Sequence, residues 1–173
     1  EVFTHWIRES IVADKPLNQF TAEIIAARGS TYTEAPSNFY RALRTPEERA
    51  ESAAQVFLGI RLQCAKCHNH PFDRWTMDDY YSFAAFFAQV GRKQTEDYRD
   101  IVIYNRAGGE TSNPVTKQRM APKFLGGAVP EIKPGEDRRA ILAKWLTAGD
   151  NPFFGLNIAN RVWDHFFGMG IIE

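Results

Sequence analysis

The sequence predicts a mainly α-helical fold with a small β-hairpin insertion. Apolar residues recur at spacings of three and four along most of the chain, which is typical of helices that bury one face. Two threonines begin segments with the composition of helix N-termini, and one short run is rich in β-branched residues. With 173 residues, 44% of them hydrophobic, the chain is long enough for one substantial core.

Two helices are predicted in the first part of the chain. Residues 2–13 place apolar side chains on one helical face and stop before a proline. Residues 17–28 repeat this pattern and end at Gly29, a residue type common just past a helix end. Residues 30–38 are polar and contain a proline, so we predict a loop there.

Two further helices have marked starts. Residues 45–48 read Thr-Pro-Glu-Glu, which combines an N-cap threonine, a proline in the first turn and a capping-box glutamate. An apolar pattern continues from there to Cys64, so we predict one long helix ending at that cysteine. Thr76 caps a second helix, from about residue 78 to 90, which is apolar nearly all round.

The second half of the chain contains the predicted hairpin. Residues 100–105 read Asp-Ile-Val-Ile-Tyr-Asn and are followed by a turn with two glycines. We predict that residues 114–118 form the returning strand. Residues 122–134 contain three prolines and should be irregular. Apolar spacing predicts two last helices, over residues 137–148 and from residue 151 onward.

Composition excludes some classes of partner. Lys plus Arg and Asp plus Glu number 21 each, so no basic field indicates nucleic acid or an anionic membrane as a partner. The longest apolar runs are far shorter than the roughly 20 residues of a transmembrane helix, so we expect no membrane span in this fragment. The start at Glu1 and the end at Glu173 lead us to expect a piece of a longer protein.

The two cysteines of the chain lie in one pentapeptide, Cys-Ala-Lys-Cys-His, at residues 64–68. This is the attachment signature of c-type haem. Two thiols three positions apart can both add to the vinyl groups at one edge of a porphyrin, and His68 then meets the iron as its proximal ligand. The motif therefore predicts a cytochrome c-like helical domain with one covalent haem c, held by Cys64, Cys67 and His68.

The sequence leaves alternatives open for these cysteines. A thioredoxin-type disulfide belongs in a strand-to-helix turn, whereas the stretch before Cys64 has a helical pattern. A zinc site would consist of Cys64 and Cys67 with two of His68, His70 and His165. Cysteine pairs that bind zinc usually lie on a tight knuckle with Gly or Pro, and none lies between these two. An ordinary disulfide, or buried thiols in a chance motif, are the remaining interpretations.

A wider resemblance supports the haem interpretation. Residues 55–81, with Cys-Ala-Lys-Cys-His-Asn-His-Pro-Phe-Asp at their centre, resemble the planctomycete-type cytochrome c family, large exported proteins with one such haem-binding module. Residues 151–170, including an Asn-Arg-x-Trp-x-His run, look like the opening of the partner domain that commonly follows. The resemblance implies covalent haem c and export to the periplasm or cell envelope. It also implies a haem domain over 1–150 and the start of the next domain over 151–173, packed on the first as a helix.

The sixth ligand of the iron stays open at this point. Met120 lies in an irregular segment flanked by proline and glycine, at a separation from His68 similar to that in small cytochromes c. The alternative for Met120 is a gap-filling methionine. His165 would give a bis-imidazole haem, or is a surface or capping histidine. His70 is too close to His68 to reach the opposite face, and a hydrogen bond to a propionate or to the motif loop suits it better. Three cations near the motif are candidate propionate partners or solvent-facing charges: Arg61, Lys66 and Arg74.

Two functional classes follow. The first is an electron-transfer module without a substrate, whose partner is a redox protein or a neighbouring domain of the parent chain. The second is a haem with an open distal site that binds, senses or reduces a small molecule in peroxidase-like chemistry. Because no acid–base constellation stands out beside the motif, we expect an electron-transfer domain rather than a catalyst by itself.

Overall fold

The computed structural model describes residues 1–172, in which seven α-helices and two small antiparallel sheets share one hydrophobic core. About 46% of the chain is helical, so the fold is a helix-rich mixture of α and β structure. No helix among the described residues is both long and apolar enough to cross a bilayer.

The two predicted N-terminal helices are present as α1 (Val2–Val12) and α2 (Leu17–Ile25). They meet through Trp6 and Phe20, whose rings stack at 4.7 Å. The predicted loop over 30–38 is only partly irregular. It begins in a short strand, β1 (Gly29–Ser30), and leads through a 3₁₀ turn into α3 (Asn38–Ala42).

Helix α4 (Pro46–Ala53) begins as predicted, with a complete capping box between Thr45 and Glu48. The prediction that it runs unbroken to Cys64 is wrong. It changes into a π turn over Ala54–Leu58 and ends at Gly59, which has a φ of 73°. A left-handed glycine is a common helix terminator because it has no Cβ to clash with the preceding turn.

Helix α5 (Met77–Ala84) is capped by a second capping box, between Thr76 and Asp79. It too is shorter than predicted, because a 3₁₀ turn over Ala85–Phe87 leads into strand β2 (Val90–Gln94). The predicted apolar character is confirmed, since Tyr80, Phe83, Phe86 and Phe87 are all fully buried.

The predicted strand is present as β3 (Ile101–Asn105), but its predicted partner is wrong. β3 pairs antiparallel with β2 on one side and with β1 on the other. A Cβ on Gly91 of β2 would lie 2.5 Å from Tyr104 Cζ, so the Tyr104 ring packs across the place that a side chain at position 91 would take. Residues 114–118 form the turn between two other strands, β4 (Thr111–Ser112) and β5 (Arg119–Met120).

The C-terminal part of the structure agrees with the prediction of an irregular segment followed by two helices. Residues 122–134 contain no helix or strand. Helix α6 (Arg138–Leu146) begins at Asp137, whose side chain accepts a bond from the Arg139 amide. Helix α7 (Phe154–Phe167) follows a turn in which Asn151 accepts from the amides of Phe153 and Phe154.

The core contains two buried arginines, Arg49 and Arg139, that the sequence did not predict. Tyr40 is fully buried, and two buried guanidinium groups, those of Arg49 and Arg139, lie 5.7 and 5.0 Å from its ring centre. Arg49 donates to three backbone carbonyls, and Arg139 donates to Ala27 O and to the Asp137 carboxylate. These contacts satisfy the charges that burial would otherwise penalise.

Candidate cofactor site

The two cysteines lie on the outer side of a tight turn. A 3₁₀ turn spans Gln63–Lys66, and Cys67 follows it directly. In a 3₁₀ turn residues three apart lie above one another. Leu62 and Ala65 are therefore both fully buried, while Cys64 and Cys67 are both exposed, free thiols. Both sulfur atoms are thus accessible to a group outside the chain, as attachment to a porphyrin requires.

The imidazole of His68 is held in a metal-binding tautomer. Its Nδ1 lies 2.7 Å from the backbone oxygen of Asn69. A carbonyl oxygen only accepts hydrogen bonds, so Nδ1 carries the hydrogen, which in the neutral imidazole leaves the lone pair on Nε2. A bond of this kind from the second ring nitrogen is the usual way in which proteins orient a ligating histidine. The exposed His68 ring is therefore suited to bind iron through Nε2.

The loop after His68 is held by hydrogen bonds between residues 70–75. The amide of His70 donates to Trp75 O at 2.8 Å, and His70 Nδ1 accepts from the amide of Phe72 at 3.2 Å. Of the two roles expected for His70, the bond within the motif loop is therefore formed. Phe72 stands 95% exposed at the tip of this loop.

Helices α4 and α5 support the 3₁₀ turn through side-chain contacts with Lys66. The Tyr81 hydroxyl of α5 donates to Lys66 O at 3.3 Å, and Lys66 Nζ lies 3.6 Å from Glu51 of α4. Tyr80 donates to the same Glu51 carboxylate, and burial together with that carboxylate raises the pKa of Tyr80. Lys66 is thus paired within the protein, which weakens its candidacy as a propionate partner.

One buried donor beside the motif has no acceptor among residues 1–172. Trp75 is 3% exposed, and its Nε1 has no hydrogen-bond partner among the described residues. Arg74 lies over the same indole ring at 4.7 Å. Leaving a buried N–H unpaired costs about 1–3 kcal/mol, which the packing around Trp75 must offset. The two exposed thiols and the His68 tautomer are the features that fit a covalently bound haem.

A cavity of about 910 Å³ borders the motif. Its walls come from residues 58–61 before the cysteines, residues 70–73 after them, and one face of α7. None of the three motif residues lines it, so the cavity lies beside the cysteines rather than over them. Ile60 and Leu156 contribute apolar side chains to the cavity wall, and Arg61 contributes a charged one.

Two polar residues dock α7 against this region. Asn157 Nδ2 donates to Val56 O at 2.9 Å, and Arg161 donates to Gln55 O at 2.9 Å. Both acceptors belong to the π turn. Gly59 allows this approach, because a Cβ there would lie 2.8 Å from Asn157 Oδ1. The sequence signal for this docking is the spacing of Asn157 and Arg161, which are four residues apart and so share a helical face.

The two candidate sixth ligands lie in different surroundings. Met120, on β5, is 8% exposed and belongs to the hydrophobic core. His165 is exposed on α7, with its ring edge-on to Phe166 at 5.2 Å. Neither lines the cavity beside the motif. The sixth ligand therefore stays a prediction, with packing as the role that the structure gives to Met120.

The alternatives for the cysteines gain no geometric support. Both thiols are free, so no disulfide joins them. Within residues 1–172, no three side chains of His, Cys, Asp or Glu gather into a group that could hold a metal ion. The four-ligand zinc site considered from the sequence is therefore not assembled in this fold.

Two families match parts of the chain. PSCyt2, described as a protein of unknown function (DUF1549), matches residues 1–92, and PSD1, described as a protein of unknown function (DUF1553), matches residues 138–173. Both are planctomycete-type cytochrome c associated domains. No curated protein and no solved structure matches the chain. The C-x-x-C-H motif lies in the first segment and α7 in the second, while the domain division at residue 150 stays a prediction.

Proposed function

The chain belongs to the PSCyt2 family, and we propose that it carries one covalent haem c and serves as an electron-transfer module of a larger exported protein. One observation carries the proposal: Cys64 and Cys67 are both exposed, free thiols at a 3₁₀ turn, and His68 follows them with Nδ1 already bonded to a carbonyl. The cytochrome c-like fold and the membership of a haem-binding family are parts of the same proposal.

The two thiols would hold the cofactor by simple addition. Each sulfur forms a bond to one vinyl carbon, and the thiol hydrogen passes to the other carbon of that vinyl group, so no oxidant or leaving group is needed. Exposure of Cys64 and Cys67 leaves both sulfur atoms accessible for this step. His68 would bind the iron through Nε2, oriented by its bond to Asn69 O.

When bound, haem c supplies an iron that gains or loses one electron between its ferric and ferrous forms. The protein's part is to hold that iron at its surface, since the motif is exposed while the residues behind it are buried. A redox partner or a neighbouring domain of the parent chain would exchange the electron. Export to the periplasm or cell envelope is part of the proposal, because covalent haem attachment takes place outside the cytoplasm.

Production in a host that exports and matures c-type cytochromes tests the proposal. We expect a haem signal that stays with the polypeptide on a denaturing gel and is lost in the double variant C64A/C67A. His70→Ala is the matched control, because it changes a motif-loop imidazole without touching the attachment residues. Zinc bound stoichiometrically to a chain without haem would overturn the proposal.

A second candidate is small-ligand binding at an open sixth position. It is favoured by the surroundings of the two candidate sixth ligands: Met120 is packed in the hydrophobic core, and His165 is exposed on α7 with its ring against Phe166. Prompt carbon monoxide binding by the ferrous protein, with a high-spin ferric spectrum, would favour this candidate. A six-coordinate low-spin spectrum without such binding would favour electron transfer.

A further inference from the structure

A charged pair connects the haem-attachment motif to helix α4. Lys66 lies within the motif, and its Nζ is 3.6 Å from the Glu51 carboxylate. Resting on the function proposed above, we propose that this pair tunes the midpoint potential of the haem, because the Glu51 carboxylate offsets the positive charge that Lys66 brings to the attachment site. The two residues would then determine how readily the protein gives up its electron.

The chain itself keeps Lys66 close to the attachment residues. It directly precedes Cys67, and it is two residues from each of Cys64 and His68. Consecutive Cα atoms are about 3.8 Å apart, so the Lys66 Cα lies within about 8 Å of the Cα atoms of those two residues. The backbone is also held here, since the Tyr81 hydroxyl donates to Lys66 O at 3.3 Å. A charge on Lys66 is thus placed next to the residues that would hold the haem.

Glu51 is fixed from the side of the core. Its side chain is 19% exposed, whereas that of Lys66 is 46% exposed. The fully buried Tyr80 donates its hydroxyl to the Glu51 carboxylate, and burial raises the pKa of Tyr80, so this donor keeps its proton. Water screens a partly buried carboxylate less than an exposed one, so the field of Glu51 acts more strongly on neighbouring groups.

The other two cations near the motif are not neutralised in this way. Among residues 1–172, neither Arg61 nor Arg74 has an ion-pair partner. Arg74 instead lies over the rings of Trp75 and Phe153. Lys66 is therefore the motif cation whose charge is offset by a carboxylate, and removing that carboxylate would leave the charge uncompensated.

The sign of the effect follows from the charge of the iron. The ferric form carries one more positive charge than the ferrous form, so a nearby positive charge favours the ferrous form and raises the midpoint potential. Removing the Glu51 charge should therefore raise the potential, because Lys66 is then uncompensated. Removing the Lys66 charge should lower it, because the carboxylate remains. With both charges removed, the two shifts should largely cancel.

Charge-neutral variants of the haem-loaded chain test the inference. Glu51→Gln keeps an oxygen that can accept from Tyr80, so it removes the charge with little change in shape. Lys66→Gln and the double variant complete a double-mutant cycle. Glu131→Gln and Lys93→Gln are the controls, since both residues are exposed and neither forms an ion pair among residues 1–172. The measurement is the midpoint potential by spectroelectrochemical titration, with covalent haem scored on a denaturing gel.

We expect an upward shift in Glu51→Gln, a downward shift in Lys66→Gln, and values close to the unmutated chain in the double variant and both controls. Loosening of the attachment turn alone would move both single variants in the same direction, so opposite shifts distinguish a charge effect from a structural one.

Shifts of the same sign, or none beyond the controls, in chains with attached haem would overturn this inference alone. If Glu51→Gln fails to fold, Lys66→Gln decides the question, because any result other than a downward shift overturns the inference. An unmutated chain that acquires no covalent haem would overturn the proposed function as well.

Discussion

Replacing Gly59 with alanine should destabilise the chain, because this glycine both reverses the backbone and lies against α7. Its φ of 73° is left-handed, which costs a residue with a Cβ roughly 1–2 kcal/mol. The new Cβ would lie 2.8 Å from Asn157 Oδ1 and displace the amide that donates to Val56 O. Loss of that bond adds about 1 kcal/mol, so the expected total is about 2–3 kcal/mol.

Urea unfolding of a double-mutant cycle separates the two contributions. In an Asn157→Ala background the bond is already lost, so Gly59→Ala should cost only the backbone strain, about 1–2 kcal/mol. Gly155→Ala in α7 is the control: its Cβ would meet nothing within 4 Å, and the change should stabilise by about 0.5–1 kcal/mol. If Gly59→Ala lowered the free energy of unfolding equally in the unmutated and the Asn157→Ala backgrounds, the contact with Asn157 would be refuted. If it cost almost nothing in the Asn157→Ala background, the backbone strain would be refuted.

Three other changes have outcomes set by local contacts. Thr76→Ala removes the capping box of α5 and should lower the free energy of unfolding by about 1 kcal/mol, measured in urea. Arg139→Met leaves the N-cap carboxylate of α6 without its buried partner and should cost about 3 kcal/mol in the same assay. Burial raises the pKa of Tyr40 to about 12 from 10.0, so the unfolded chain loses this proton first as the pH rises. Stability should therefore fall between pH 10 and 12 by about 1.4 kcal/mol per unit, and Tyr40→Phe should remove that part of the slope; an unchanged slope would contradict the assigned pKa.

Helix starts were predictable because their signals are local. Thr45 and Thr76 each act within four residues: the predicted capping box forms at Thr45, and Thr76 caps α5 as predicted, with Asp79 completing a second box. The lengths of the same two helices were not predictable from apolar spacing. Spacing continues smoothly through Leu58 and Phe87, whereas the backbone changes to π and 3₁₀ geometry at these points.

Strand pairing was the least predictable part of the fold. The strand at 101–105 was evident from its β-branched residues, but its partner β2 reads Val-Gly-Arg-Lys-Gln and lacks that composition. Pairing with β1 joins residues about seventy positions apart, as the bonds from Ser30 and Thr31 to Asp100 show. Long-range contacts of this kind leave no local mark in the sequence.

The burial of two arginine side chains was also not predicted, for a different reason. Arginine is usually exposed, so Arg49 and Arg139 gave no signal of a place in the core. Each is accommodated because its planar guanidinium donates to several acceptors at once while lying over the Tyr40 ring. The predictable part of the candidate site is correspondingly the part whose chemistry is local: two thiols and an imidazole within five residues.

The feature that ended the predicted long helix early is also one of the places where the two family segments meet. An unbroken helix to Cys64 would have used the carbonyls of Gln55 and Val56 in its own hydrogen bonds. The π turn and Gly59 instead leave these carbonyls for Arg161 and Asn157, more than 100 positions along the chain. π turns are often found at functional sites, and this one lies between the helix that supports the motif and the cavity beside it. A displacement of α7 would therefore change the π turn, which leads into the cysteines. The PSD1 segment thus has a direct structural connection to the proposed haem site.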